Sequence, residues 1–120
     1  MTTLLVGIAG AAGAIARYRL GTAIGLRAFP WATLAVNVAG CFALALVLAG
    51  PGDARWSPTA TTAVAVGFLG AFTTFSTFGW ETFTLLRADQ PGRAAVYVSV
   101  SLAGGLAATA AGWTLGRSLS

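Results

Sequence analysis

The chain has 120 residues, of which 57% are hydrophobic and only 8% are charged. This balance leaves too little polar surface to cover a globule in water, so it excludes a soluble domain. The formal net charge of +4 comes from arginines that are scattered along the chain rather than clustered, which argues against nucleic-acid binding.

Four segments are long and apolar enough to cross a bilayer, which requires about 20 apolar residues per helix. Arg17 and Arg19 interrupt the first segment near one end, whereas residues 28–52, 56–80 and 94–116 carry no charge. The sequence therefore predicts an all-α membrane protein, a single domain of residues 1–120. Its spans are expected at about residues 3–25, 30–50, 58–86 and 94–116.

The first span is expected to remain in the mature protein. A cleaved signal peptide has a positive region before its apolar stretch, and here the arginines follow it. At the other boundaries, prolines lie at span edges and none lies inside a span. Ser57 and Pro58 predict the N-cap and the first helical residue of span three.

The arginines flanking the spans are nearly balanced between the two sides of the membrane. Arg55 and Arg117 lie on the side of the termini, and Arg27, Arg87 and Arg93 lie on the other. Positive charge near the span ends sets orientation, so this chain is expected to insert either way. Asp53 and Asp89 add little, because acidic residues hardly count in this rule.

Glycines recur at three- or four-residue spacing in spans one and four, a pattern that predicts closely packed helices. Four helices alone can hardly enclose both a packed interior and a water path, so self-association is expected. The single cysteine, Cys41, is predicted to fill space in span two. The glycines of the pattern are Gly7, Gly10, Gly13, Gly21, Gly25, Gly112 and Gly116.

Hydroxyl side chains are concentrated in the middle of span three, at residues 73–77 (TTFST). β-Branching and hydroxyl competition with the backbone both weaken a helix, so the run predicts a break at mid-membrane. Non-helical backbone at that depth is tolerated where it is buried in protein or lines a cavity. The alternative is that the hydroxyls bond back to the preceding helical turn.

Other polar and aromatic side chains suit an anion at membrane depth. The amide of Asn37 supplies two N–H donors, either for an anion or for a hydrogen bond between helices. Phe75 and Phe78 are three residues apart and project to nearly the same face if the helix resumes there, and their ring edges carry partial positive charge. Tyr97 and Ser101 are four residues apart and share a helix face. The centres of the spans contain no Asp, Lys or His, and Glu81 lies toward the end of span three. This favours passive conduction over proton-coupled pumping.

Three stretches resemble the small bacterial fluoride channel family, called Fluc or CrcB. They are residues 10–18 (GAAGAIARY), 33–40 (TLAVNVAG) and 67–78 (GFLGAFTTFSTF) followed by Glu81. The third stretch is the most specific of them. They occur in order over nearly the whole chain, so the resemblance covers the full set of spans.

The resemblance implies a fluoride-selective channel, not an enzyme, that is an antiparallel, dual-topology homodimer in the bacterial cell membrane. It implies that a structural Na⁺ at the dimer centre is bound by the backbone carbonyls of Gly70 and Thr73, and that Arg17 lies at a pore vestibule. The channel would export fluoride passively and so relieve its toxicity. The residues implied to line the fluoride pathway are Asn37, Phe75, Ser76, Thr77, Phe78, Tyr97 and Ser101.

One position departs from the pattern. Gly105 stands one turn beyond Ser101, where a second hydroxyl is expected, so the end of the polar track in span four is in doubt. Two other functions remain open from the residues alone. A small four-span drug exporter needs an acidic residue deep in span one, which this chain lacks. A structural membrane subunit would pack against a larger complex without transporting ions.

Overall fold

The computed structural model describes residues 1–119, apart from the side chains of Asp53 and Ala54. Within this range four helices are long and apolar enough to cross a membrane. They are span one (Thr2–Ile24), span two (Trp31–Ala49), span three (Pro58–Arg87) and span four (Pro91–Leu119). The four predicted spans are thus confirmed, while Ser120, which the predicted domain included, lies outside the described residues.

The span ends follow from local sequence. The Ser57 hydroxyl accepts a hydrogen bond from the Ala60 N–H at 3.2 Å, which confirms the predicted cap of span three. A short helix, Pro51–Ala54, precedes it in the connection from span two. Span four begins at Pro91, earlier than the predicted residue 94, because proline is well suited to the first turn of a helix.

Span three is not a continuous helix. It runs as an α-helix over Pro58–Thr62, a π-helix over Ala63–Leu69 and an α-helical turn over Gly70–Phe72, and it resumes as an α-helix over Phe75–Arg87. Between the last two pieces, Thr73 (φ −82°, ψ 161°) and Thr74 (φ −153°, ψ 112°) are extended. These two residues are called the break below. The hydroxyl run predicts the break, whereas nothing in the sequence analysis predicts the π-helical segment.

Span one packs against span three, and span two packs against span four. Glycine permits the close approach in both pairs. A Cβ at Gly13 would overlap the carbonyl of Phe68, and one at Gly112 would overlap the carbonyl of Phe42. Gly116 is packed as tightly against the end of span two. The predicted close packing is therefore confirmed at these positions.

Three glycines of the predicted pattern do not serve this purpose. A Cβ at Gly7, Gly21 or Gly25 would meet no described atom of the protomer within 4 Å beyond its chain neighbours and its own helix backbone. Close packing within the protomer is therefore wrong for all three. Gly25 has a different role: it ends span one with φ 72°, a conformation that favours glycine.

Candidate functional site

The backbone of the break is paired with a side chain of span two. The Thr74 N–H donates to Asn37 Oδ1 at 2.8 Å, and Asn37 Nδ2 donates to the Thr74 carbonyl at 3.0 Å. One amide thus satisfies both backbone groups of a residue that has left the helix, as a neighbouring strand would do. Asn37 has a second N–H donor, which this pairing does not use.

The same pairing alters the preceding turn. In a continuous helix the Thr74 N–H would donate to the Gly70 carbonyl, and here it donates to Asn37 instead. The Thr73 carbonyl, turned away from the helix axis, accepts a hydrogen bond from Arg17 Nη1 at 3.1 Å. The two carbonyls predicted to bind a cation have therefore lost their usual helical donors, and one of them already faces a guanidinium.

The second half of span three begins with a side-chain cap at membrane depth. The Thr74 hydroxyl accepts from the Thr77 N–H at 3.2 Å and donates to Thr77 Oγ1 at 2.9 Å. Thr74 is buried, and its oxygen also lies 3.4 Å from Ser76 Oγ. A helix N-terminus carries partial positive charge, so the start of this helix attracts anions.

Three aromatic rings lead away from the break. The centroids of Phe75 and Phe78 are 5.7 Å apart, and those of Phe78 and Tyr97 are 5.1 Å apart. Phe75 is 82% exposed on the protomer, whereas Tyr97 is fully buried. The predicted proximity of the two phenylalanine rings is confirmed, and the exposed ring lies at the surface end of the series.

A cavity of about 300 Å³, called the central cavity below, lies beside the break between spans two, three and four. The Ser101 hydroxyl lines it and is buried without a hydrogen-bond partner among residues 1–119. A buried hydroxyl of this kind can donate to or accept from a polar group that enters the cavity. Six of the residues predicted as site residues line this cavity: Asn37, Gly70, Thr73, Phe75, Phe78 and Ser101.

Gly105 lies close to the same wall. It is buried, and a Cβ at this position would come 3.4 Å from Cys41 Sγ. Cys41 itself lines the central cavity. Where a second hydroxyl was expected, this chain therefore places a thiol from the opposite helix, a much weaker hydrogen-bond donor.

Glu81 is held between two hydroxyl groups. Its Oε1 accepts from Thr33 Oγ1 at 2.8 Å and its Oε2 accepts from the Tyr97 hydroxyl at 2.7 Å. Thr33 is 6% exposed and Tyr97 is fully buried, so the carboxylate reaches into the protein between spans two and four. Neither Glu81 nor Thr33 was among the predicted site residues. A lone carboxylate within a span was the available signal for the first.

Glu81 lines a second cavity, and its hydrogen-bond partner Thr33 lines a third. One of about 290 Å³ opens near the connection between spans one and two, where Glu81 lines it together with Arg27, Trp31 and Trp80. The other is small, about 110 Å³, and is lined by Arg17, Thr33, Thr74 and Thr77. We call them the mouth cavity and the inner polar cavity.

The predicted site residues thus fall on two sides of span three. One group lines the central cavity, while Arg17 and Thr77 line the inner polar cavity on the other side. Tyr97 connects to the first group through its ring contact with Phe78. Ser76 is exposed, so within the protomer it belongs to neither cavity's lining.

Comparison with known proteins gives concordant matches. The family model described as "CrcB-like protein, Camphor Resistance (CrcB)" matches residues 4–113. A relative from a strain of Bacillus cereus, "Fluoride-specific ion channel FluC 1", is 44% identical over 94% of this chain and 85% of its own. "Fluoride-specific ion channel FluC" of Geobacter sulfurreducens is 44% identical over 99% of this chain and 100% of its own. "Fluoride-specific ion channel FluC 2" of Moorella thermoacetica is 42% identical over 99% of both.

Proposed function

The chain belongs to the CrcB-like family, and we propose that it is a fluoride-specific ion channel rather than an enzyme. The observation that carries the proposal is the 44% identity, over 94% of the chain, to a fluoride-specific channel. The chain is a multi-pass membrane protein by its four spans. We also propose that it lies in the bacterial cell membrane and that it lowers cytoplasmic fluoride by passive export.

The proposed pathway runs from the mouth cavity past Tyr97 to the central cavity. The Thr33 and Tyr97 hydroxyls hold the Glu81 carboxylate beside this track, at 2.8 Å and 2.7 Å, and the ring contact from Tyr97 to Phe78 supports its continuity. Fluoride is small and strongly hydrated, so it passes only where hydroxyls, amides and ring edges replace its water. The proposed lining is Asn37, Phe75, Ser76, Thr77, Phe78, Tyr97 and Ser101, with Arg17 at a vestibule.

A second, antiparallel copy of the chain completes the proposed channel. Two features of the protomer support a partner at this face: Phe75 is 82% exposed, and Ser76 beside it is exposed as well. Both follow the break directly, so a partner covering them would enclose the central cavity. The balanced arginines support the antiparallel arrangement, because they fix neither orientation of the single chain.

The carbonyls of Gly70 and Thr73 are the proposed ligands of a structural Na⁺ between the two copies. The donor set fits this group, because carbonyl oxygens suit a hard cation and both have lost their helical donors. The guanidinium of Arg17 at 3.1 Å from the Thr73 oxygen favours a monovalent over a divalent ion. Bound there, the cation would supply a fixed positive charge near the anion pathway.

Purified protein in liposomes tests the proposed function. Vesicles loaded with potassium fluoride, with sodium gluconate at equal concentration on both sides, should release fluoride when valinomycin provides a path for potassium, because the channel carries the anion passively. A fluoride electrode follows the release, and protein-free vesicles are the control. A structural subunit would give no release, and a drug exporter would give none without its own substrate.

Insertion in both orientations is the second expected result. A cysteine tag at either terminus of Cys41→Ser protein should be labelled by an impermeant thiol reagent in about half of the molecules in intact cells, or in sealed vesicles prepared from their membranes, because the arginine balance gives no preferred side. Detergent permeabilisation should then expose the remainder. Labelling of all molecules, or of none, before permeabilisation would contradict the antiparallel dimer.

A further inference from the structure

The break is held by contacts from within one protomer, and these contacts converge on two adjacent residues. Asn37 of span two accepts from the Thr74 N–H at 2.8 Å and donates to the Thr74 carbonyl at 3.0 Å. Arg17 of span one donates to the Thr73 carbonyl at 3.1 Å. Every backbone group that leaves the helix between the Thr73 carbonyl and the Thr74 carbonyl thus has a side-chain partner.

The side chain of Thr73 is fixed as firmly as its backbone. Its hydroxyl donates to the Leu69 carbonyl at 3.0 Å, which turns the methyl group toward span two. There the methyl lies directly against Gly40, and a Cβ at position 40 would overlap it. Gly40 is buried, so the methyl contacts the backbone of span two itself.

Asn37 and Gly40 are three residues apart and share one face of span two. Asn37 provides a hydrogen-bonding group on this face, and Gly40 provides a depression one turn further along. Thr74 pairs with the first and Thr73 fits into the second. We call this pair of positions the span-two notch.

We propose that the span-two notch positions the break, and through it the pathway residues that follow, within each protomer and before any partner or ion is bound. The proposal rests on the proposed channel function for its effect on flux. It makes Gly40 a positioning residue of the pathway, and it gives Asn37 a role besides donating to the passing anion. Both residues act through the backbone of span three.

The fit between Gly40 and Thr73 can be tested by a substitution and its compensation. Gly40→Ala inserts a methyl where the Thr73 methyl lies, so the break must shift, and we expect fluoride flux to fall about tenfold or more. Thr73→Ser removes the opposing methyl but keeps the hydroxyl for Leu69. The next nearest atom, Thr73 Cβ, would then lie 3.6 Å away, an ordinary contact. The double variant should therefore recover most of the flux.

Two readouts accompany flux. The ratio of fluoride to chloride release should fall in Gly40→Ala and recover in the double variant, since misplaced pathway residues affect selectivity as well as rate. The melting temperature of the purified protein should likewise fall in Gly40→Ala and recover in the double variant. This measurement does not depend on whether the protein conducts ions. Gly92→Ala, at a glycine with open space around it, is the matched control.

The outcomes separate this proposal from the proposed function. Suppose that wild-type vesicles release no fluoride, while thermal stability falls in Gly40→Ala and recovers in the double variant. This result would contradict the channel function and support the role of the span-two notch. Conduction by the wild type with Gly40→Ala unimpaired in flux, selectivity and melting would overturn the notch alone. A double variant that remains as impaired as Gly40→Ala would also overturn it, because the compensating contact would then be absent.

Discussion

Asn37→Asp is expected to reduce fluoride flux by about a thousandfold. A carboxylate about 4 Å from the passing anion, at an effective dielectric constant of about 20, raises its energy by about 4 kcal/mol, which corresponds to about three powers of ten in rate. The same change removes the donor that now satisfies the Thr74 carbonyl at 3.0 Å. Two acceptors would then face each other beside the break, which adds to the loss.

Gln90→Glu is the matched control for this variant. It makes the same change from amide to carboxylate in the connection between spans three and four, where the side-chain oxygen of Gln90 accepts a hydrogen bond from exposed Arg93 at 2.9 Å. Its flux should equal that of the wild type. Both proteins are compared per mole of protein after size-exclusion chromatography. If Asn37→Asp conducted as well as the wild type, Asn37 would neither line the pathway nor support the break.

Removal of sodium is expected to have the second large effect. With N-methyl-D-glucamine replacing sodium on both sides of the membrane, flux should fall to a small fraction of its value and recover when sodium returns. The reason is that two carbonyl groups would lack a full set of partners without the cation. The usual donor of the Gly70 carbonyl, the Thr74 N–H, is bonded to Asn37, and the Thr73 carbonyl has only the guanidinium of Arg17. Without a cation, two such sets would face each other across the proposed dimer axis.

A second measurement makes the sodium prediction independent of conduction. A ligand that binds only the folded state stabilises it in proportion to the logarithm of its concentration. The melting temperature of the purified protein should therefore rise with sodium and stay unchanged with the large organic cation at equal ionic strength. Full activity after exhaustive sodium removal, or a water molecule at the centre of an experimental structure, would refute the site.

The features that the sequence predicts well are those encoded within one segment. Four apolar stretches indicated the spans, the Ser57 hydroxyl capped span three as expected, and the run of hydroxyls at Thr73 and Thr74 marked the break. Each of these depends on neighbours along the chain. The propensities and caps that govern them act over a single helical turn.

The features that the sequence did not predict depend on partners far apart in the chain. Arg17 and Thr73 are separated by 56 positions, and Thr33 and Glu81 by 48. Helical periodicity indicates which residues share a face, but not which face of another helix they meet. For this reason the resemblance implied a vestibule for Arg17, while its hydrogen bond to the break came only from the three-dimensional arrangement.

Asn37 illustrates the same limit. Its residue type and depth indicated a polar role, and two roles were compatible with them: donation to an anion or a hydrogen bond between helices. In the structure the amide forms the hydrogen bond between helices, by pairing with Thr74, and it keeps one N–H donor that could bind an anion. Composition and position could not decide this, because both roles require the same amide at the same depth.

Fluoride and chloride release from the same vesicles, measured in parallel at equal concentration, tests whether the chain is a fluoride-specific channel. The proposed pathway offers one amide, a few hydroxyls and ring edges, which replace the water of small fluoride, so it should pass fluoride readily and retain chloride. We predict rapid release of fluoride and no release of chloride above that from protein-free vesicles. Equal release of both anions, or release of neither, would contradict a fluoride-specific channel.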